Sequence, residues 1–377
     1  MKFVLAPDSF KESMTAKMVA EAMEIGLKSV FPRAEYVKIP MADGGEGTVQ
    51  SLVESTSGKI YNTSVIGPTG RHIESFIGIL GDGETAVIEM AAASGIQLIS
   101  ESERNPLITT TYGTGELIKF ALNKGVEHII IGIGGSATND GGVGMLQALG
   151  VKFLAENGEE IGKGGGNLNR IHKIDTSHLD PRLINVKIEV ACDVTNPLTG
   201  KEGASYIFGL QKGATPEMIK QLDNNLKHYA KMIKQQIGKD IDKIPGAGAA
   251  GGMGAGLLAF LNVKLVKGIE LIIKHTKLES HVKEADYVFT GEGSVDAQTI
   301  LGKTPFGIAL IAQKYNIPVI LLTGRIGQGY EILYKHGVTA IFNILSNVGT
   351  LDEALKNGGE NVEITSKNIG KLIASSL

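Results

Sequence analysis

Short apolar runs that end in glycine turns recur along this chain, and their spacing changes twice. Lys2–Ala6 reads as a buried strand, Thr15–Val30 carries apolar positions at helical spacing, and Tyr36–Pro40 reads as a second strand. Ala42–Thr48 is a glycine turn, and the helix-like Val49–Glu54 follows it. Strand–helix alternation of this kind predicts parallel βα units. The rhythm then shifts. Ile60–Ile66, Ile73–Leu80 and Ala86–Ala91 read as strands joined by turns containing Gly67-Pro68 and Gly81-Asp82-Gly83, the chemistry of an antiparallel meander.

A helix at 114–124, a strand at 128–133 and a helix at 143–149 come next. Val151–Leu154 and Glu159–Ile161 flank Glu156-Asn157-Gly158, which predicts a hairpin. Val186–Ala191 reads as a strand, Ala204–Phe208 follows, and 216–237 reads as a long charged helix. Gly246–Gly256 leads into Leu257–Leu261. From about 265 the alternation returns, with strands Tyr287–Thr290, Pro318–Thr323 and Thr339–Ile344 and a helix Phe306–Tyr315. The expected fold class is α/β. Residues 1–60 and 265–377 share one doubly wound, flavodoxin-like parallel sheet, and 61–264 form an inserted mixed α/β domain, with an active-site cleft between the two. Glycine motifs at the carboxyl ends of strands are where such sheets bind ligands.

Composition narrows the function classes. A chain of 377 residues that is 42% hydrophobic, with a net charge of -3, has no electrostatic bias toward nucleic acid. The lone Cys192 rules out an intrachain disulfide framework and any multi-cysteine zinc site. No apolar run approaches a membrane span, and the short run Phe3–Ala6 is too brief for a signal-peptide core, so a cytoplasmic location is expected. The 50 glycines sit in turns after apolar runs, not in low-complexity tracts.

Several turns carry chemistry. After the first strand, Asp8 and Ser9 could bind a hydroxy acid and Lys11 could neutralise a phosphate, although an ordinary helix cap would use the same residues. Asp43-Gly44-Gly45-Glu46-Gly47-Thr48 puts two carboxylates in a turn with more glycine than a cap needs, which suits Mg²⁺ or a hydroxyl. Gly134-Gly135-Ser136-Ala137-Thr138-Asn139-Asp140-Gly141-Gly142 links a strand to a helix, and its backbone N–H groups suit an anion. Gly132, Gly134 and Ala137 match a dinucleotide-binding spacing. The acidic partner of that motif has no clear counterpart here, so a phosphate or substrate loop is favoured. Asp193 and Asn196, after a further strand, have the makings of a general base or metal ligand, or of an Asx turn. Glu292 and Asp296 are candidates for Mg²⁺ and Lys303 for a phosphate. Ala297 stands where a Walker A loop requires glycine.

Taken in order, APDSFK at 6–11, ADGGEGT at 42–48, GIGGSATNDGG at 132–142, CDVTNPL at 192–198, FGLQKGA at 208–214, GAGAAGG at 246–252 and TGEGSVDAQT at 290–299 resemble the bacterial glycerate kinase family. The resemblance spans nearly the whole chain. It implies two α/β domains, one flavodoxin-like and discontinuous, and transfer of the ATP γ-phosphoryl group to D-glycerate with the 2-hydroxyl favoured as acceptor. It also implies roles. Asp193 would orient or deprotonate the hydroxyl, with Lys11 and Asp8 as further catalytic groups. Ser9, Asp43, Gly44, Gly45, Glu46 and Asn196 would hold the substrate. Gly134, Gly135, Ser136, Thr138, Asn139, Asp140, Gly141, Lys212 and Lys303 would hold ATP, and Glu292 and Asp296 would hold Mg²⁺. D-glycerate and ATP are the expected partners, and a homodimer is compatible with the sequence. A nicotinamide-dependent dehydrogenase of a small hydroxy acid and a non-catalytic sugar-acid binding protein are the alternatives.

Overall fold

The computed structural model describes residues 1–42 and 44–376. Strands are numbered in chain order. β1 (Lys2–Leu5) and β2 (Glu35–Lys38) precede β3 (Lys59–Ile66), β4 (His72–Ile79) and β5 (Thr85–Glu89). Then come β6 (His128–Gly132), β7 (Lys152–Leu154), β8 (Lys173–Asp175), β9 (Lys187–Ala191) and β10 (Val263–Val266). β11 (Tyr287–Val295), β12 (Val319–Ile326) and β13 (Val338–Asn343) complete the set. The chain divides into two compact units. One comprises Met1–Asp43, Gln50–Ser57 and Ile269–Leu377, the other Gly44–Val49 and Gly58–Gly268.

The first unit is built on a five-stranded sheet of order β13-β12-β11-β1-β2, with every pairing parallel. This is the flavodoxin-like order, and the chain leaves β1 and β11 in opposite directions across the sheet. β1 lies inside the sheet between β11 and β2, and it reads Lys-Phe-Val-Leu because both of its faces are covered. Phe3, Leu5, Phe289 and Leu322 are buried in one cluster with Met23, Leu27 and Val362. Phe3 stacks on Tyr36 with ring centroids 5.5 Å apart and meets Phe289 edge-on at 6.0 Å. Full burial of a ring of this size contributes ~1.5–3 kcal/mol. Helix Ala16–Lys28 starts where the Thr15 hydroxyl accepts the Met18 N–H, and its Val19, Ala20, Met23 and Leu27 supply the buried stripe.

The second unit carries a six-stranded mixed sheet, β10-β9-β6-β5-β4-β3. β3, β4 and β5 run antiparallel as the predicted meander, and β5, β6, β9 and β10 are parallel. Ile88, Ile129, Ile131, Ile188 and Val190 from the parallel strands join Leu117, Met145, Phe153 and Tyr229 in one large core.

Two local expectations are corrected. The hairpin turn at Glu156-Asn157-Gly158 closes, but its return limb is only a bridge between Leu154 and Glu160, and β7 pairs with β8. Glu159 and Glu160 are exposed and Ile161 is the one buried residue of the return limb, its N–H donating to the Phe153 carbonyl at 2.8 Å, whereas β8 pairs with β7 along its whole length. β11 does not stop at Thr290; it runs through Gly-Glu-Gly to Val295, because Glu292 and Ser294 stay in register with Thr323 and Arg325 of the equally extended β12. The glycine–alanine run, for which the pattern predicts no element, enters the helical segment Ala249–Phe260, interrupted by a kink where Ala250, Gly251 and Gly252 take positive φ.

Candidate active site

In the first unit, predicted site residues gather where β1 and β11 end, at the reversal of strand order. The Asp8 N–H donates to the Gly291 carbonyl at 2.8 Å, which ties the loop after β1 to β11. The Asp8 carboxylate accepts from the Ser9 N–H at 2.6 Å and from the Thr304 hydroxyl at 2.7 Å. Glu292 is buried on β11 and accepts from the Thr299 hydroxyl at 3.0 Å and the Lys303 ammonium at 3.1 Å. Burial pushes its pKa up to about 7, against the pull of Lys303 and Thr299 and with some help from the negative charge of Asp8. Lys11 is exposed, and its backbone N lies beside Gly293. Asp296 caps the short 3₁₀ helix Ala297–Leu301 by accepting the Gln298 N–H at 2.8 Å. Thr299 and Thr304 were not singled out by the sequence. Both stand close behind the Glu292–Asp296 motif, but the Asp8 partner of Thr304 lies 296 positions away, so nothing in the sequence signals that pair.

In the second unit, loops far apart in sequence meet at the carboxyl edge of the mixed sheet. Gly44 has a φ of +91°, and a Cβ there would come within 2.7 Å of the Ala191 side chain and 3.2 Å of the Gly268 Cα. A Cβ on Gly132 would overlap the Gly44 carbonyl, and one on Gly134 would lie 3.4 Å from the Gly45 Cα. The Gly44–Thr48 loop therefore lies against the ends of β6 and β9. The Asp193 carboxylate accepts the Gly268 N–H at 3.0 Å, so it borders the same loop. Asp193 and Glu46 are exposed. Asn196 donates its amide to the Glu202 carbonyl at 2.8 Å. Asp43 lies outside the described residues.

The turn at 134–142 divides into an open half and a closed one. Gly134 and Gly135 are exposed. Thr138, Asn139 and Asp140 are fully buried. Asp140 accepts from the Thr111 N–H and hydroxyl at 2.8 Å each, from the Gly142 N–H at 3.1 Å and from the Gly144 N–H at 3.3 Å. The Met145 N–H goes to the Thr111 hydroxyl at 2.9 Å. The expected anion cradle at the start of helix Val143–Ala148 is thus corrected, because the chain's own carboxylate and hydroxyl take the N–H groups a phosphate would use. A dinucleotide pyrophosphate meets the same obstacle. Lys212 is also buried; its ammonium donates to the Ser136 hydroxyl and the Thr138 carbonyl at 2.7 Å each. Burial lowers its pKa to about 7, although nearby Asp140 opposes the shift. Asn139 donates to the Ser205 hydroxyl at 3.0 Å. The 246–252 motif serves close packing: at Gly251 a Cβ would overlap the Thr138 carbonyl and fall 2.6 Å from the Asn139 Cα.

Glu89 escaped the sequence reading. It ends β5, is 6% exposed, and accepts the Val49 N–H at 2.7 Å. Burial pushes its carboxyl up to about 7, and hydrogen bonds from the backbone of Val49, Gly47 and Thr48 restrain the rise. One acidic residue in the apolar run Ala86–Ala93 was the available signal.

Residues 3–374 match the family model described as the glycerate kinase family. A glycerate kinase of Haemophilus influenzae is 56% identical over 374 residues, covering 99% of each chain. A glycerate 2-kinase of Escherichia coli is 53% identical over 374 residues, covering 99% of this chain and 98% of its own. A crystal structure titled as a glycerate kinase 2 from Salmonella typhimurium superposes with a TM-score of 0.91 at 50% identity, covering 100% of this chain and 99% of its own. With the family matched from end to end and the same fold in a solved relative, this chain belongs to the glycerate kinase family.

Proposed function

We infer that the chain transfers the γ-phosphoryl group of ATP to the 2-hydroxyl of D-glycerate, with Mg²⁺ as the metal. The observation that carries this reading is the meeting of the Gly44–Thr48 loop, the Gly132–Gly135 turn and the Ala191–Asp193 strand end at one sheet edge. The name of the Escherichia coli relative supports the choice of hydroxyl.

Phosphoryl transfer needs positioning and charge neutralisation more than covalent chemistry. Asp193 accepts the proton of the attacking hydroxyl; it is exposed and its carboxylate is held from one side by Gly268. Glu46 and the backbone of Gly44 and Gly45 hold D-glycerate, with Asn196 at their border. The exposed backbone of Gly134 and Gly135 lies along the nucleotide phosphates, while Ser136, Lys212, Thr138, Asn139 and Asp140 keep that turn in shape from beneath. Lys11 and Lys303 neutralise phosphate charge. Asp8 and Glu292, with the hydroxyls of Thr299 and Thr304 beside them, make an oxygen donor set that fits a hard divalent cation. Asp8 and Glu292 would hold Mg²⁺, which neutralises charge on the transferring group. A cytoplasmic location accords with use of ATP.

Enolase coupling tests the reading. Purified protein with ATP, Mg²⁺ and D-glycerate should feed enolase directly, since enolase dehydrates only the 2-phosphate ester. A signal that appears only after phosphoglycerate mutase is added would assign phosphorylation to the 3-hydroxyl. ADP release at the same rate without D-glycerate would refute the acceptor.

A further inference from the structure

A helix start leaves its first N–H groups without partners inside the helix, and a Ser, Thr or Asp at the cap position usually answers them locally. Helix Thr48–Thr56 is answered from elsewhere. Its Val49 N–H donates to Glu89 Oε1 at 2.7 Å across 40 positions of sequence, and the Gly47 and Thr48 backbones hydrogen-bond the same carboxylate. The Thr48 hydroxyl is turned back to the Gly45 carbonyl at 2.8 Å. Glu89 itself is fixed in the sheet, paired in register with Gly132. The helix start is therefore anchored to the strand beneath it, and Gly44, Gly45 and Glu46 are carried by that anchor.

Burying a carboxylate at the end of an apolar strand is costly, and an apolar side chain of similar size would avoid the cost. What an apolar residue would not supply is an acceptor for the Val49 N–H and a negative charge beside the Gly47 and Thr48 backbone. We propose that Glu89 is a positioning residue for phosphoryl transfer, holding the Gly44–Glu46 loop in the geometry that binds D-glycerate. The proposal rests on the reading of that loop as the glycerate-holding one. Glu89 acts through the loop backbone and touches no reacting atom.

The test compares Glu89→Ala, Glu89→Gln and Glu46→Ala in the full chain, with separate KM values for D-glycerate and ATP. Glu89→Ala should raise the D-glycerate KM by ~10–100-fold, the loss typical of a displaced substrate-positioning element, and leave the ATP KM within about twofold. Glu89→Gln keeps one acceptor oxygen and nearly the same volume, so it should fold and fall between Glu89→Ala and the parent. If Glu89→Ala does not fold, Glu89→Gln and the shorter Glu89→Asp carry the comparison, with the same split between the two KM values. A purely structural Glu89 would lower the active fraction and move neither KM, and that result overturns the proposal. So does an equal rise in both KM values, or a Gln variant worse than the Ala one. Glu46→Ala separates the two layers of the argument. If it raises the D-glycerate KM while Glu89→Ala does not, Glu89 alone is struck out. If it leaves that KM unmoved, the loop reading falls and the proposal with it.

Discussion

Replacing Asp140 by alanine removes the acceptor of four donors at once: the Thr111 N–H and hydroxyl and the N–H groups of Gly142 and Gly144. Each hydrogen bond to a charged group is worth ~1.5–3 kcal/mol, but the sum overstates the loss. Alanine also removes the cost of burying the charge, and the space it leaves can admit water. Breaking a buried charged network typically costs ~3–5 kcal/mol, and we expect the alanine variant to fall in that range. For a folding unit of this size that is about 6–20 °C in Tm. Asp140→Asn keeps the volume but turns an NH₂ toward N–H donors, so it too should melt early. The chain has no tryptophan, so far-ultraviolet circular dichroism is the suitable probe of melting. The structural reasoning fails if Asp140→Asn melts within ~1 °C of the parent, since the buried donors on one of the two carboxylate oxygens would then face an NH₂ at no cost. An early melt with the ATP KM retained in the folded fraction is the result that fits a carboxylate turned inward.

Asp193→Asn should lower kcat by ~10²–10⁴, the general-base range, with Tm unchanged because the side chain is exposed; near-normal turnover removes it from the mechanism. Lys212 has a folded pKa of about 7, below its unfolded value of 10.5. The unfolded chain therefore binds the extra proton between those values, and stability should rise as pH climbs from about 7 toward 10.5. Lys212→Met should lack that part of the rise, and equal slopes in the two proteins would refute the assignment. Glu292 behaves in the opposite sense. Its folded pKa of about 7 exceeds the usual 4.5, so its contribution to stability falls as pH rises from about 4.5 to 7. Glu292→Gln should flatten that fall while reducing activity and raising the Mg²⁺ concentration needed for half-maximal rate. An unchanged Mg²⁺ requirement would take Glu292 out of the metal site.

What the sequence made legible follows from what local patterns encode. Runs such as Ile129–Ile133 can only be buried, and a glycine turn followed by a helical period gives the parallel layers directly. Strand order is not a local property, and nothing near Phe3 indicates that its neighbour across the ladder is Tyr287. Asp140 was visible as a polar group in a glycine turn, but not the direction it faces. That depends on Thr111, 29 positions upstream, in a run of three threonines that reads as polar yet is buried. Glu89 was invisible for a similar reason, since its partners lie 40 positions earlier. The Gly-Glu-Gly at 291–293 was read as a turn because glycine breaks strands in isolation; the ladder to β12 outweighs that local preference.

The parallel sheet also constrains how the polypeptide matures. A ribosome that has released the chain through Val266 has delivered every strand of the mixed sheet, but only β1 and β2 of the five-stranded one. Val4 must then await Val288, and the helix Ala16–Lys28 must await the helix Gly358–Ala374 on which it packs. During translation the amino-terminal segment is therefore an apolar strand with an open edge, the kind of segment that chaperones shield and that aggregates when unshielded. Nascent chains arrested near Val266 should protect β6 and β9 from proteolysis while leaving Phe3 and Leu5 open to attack.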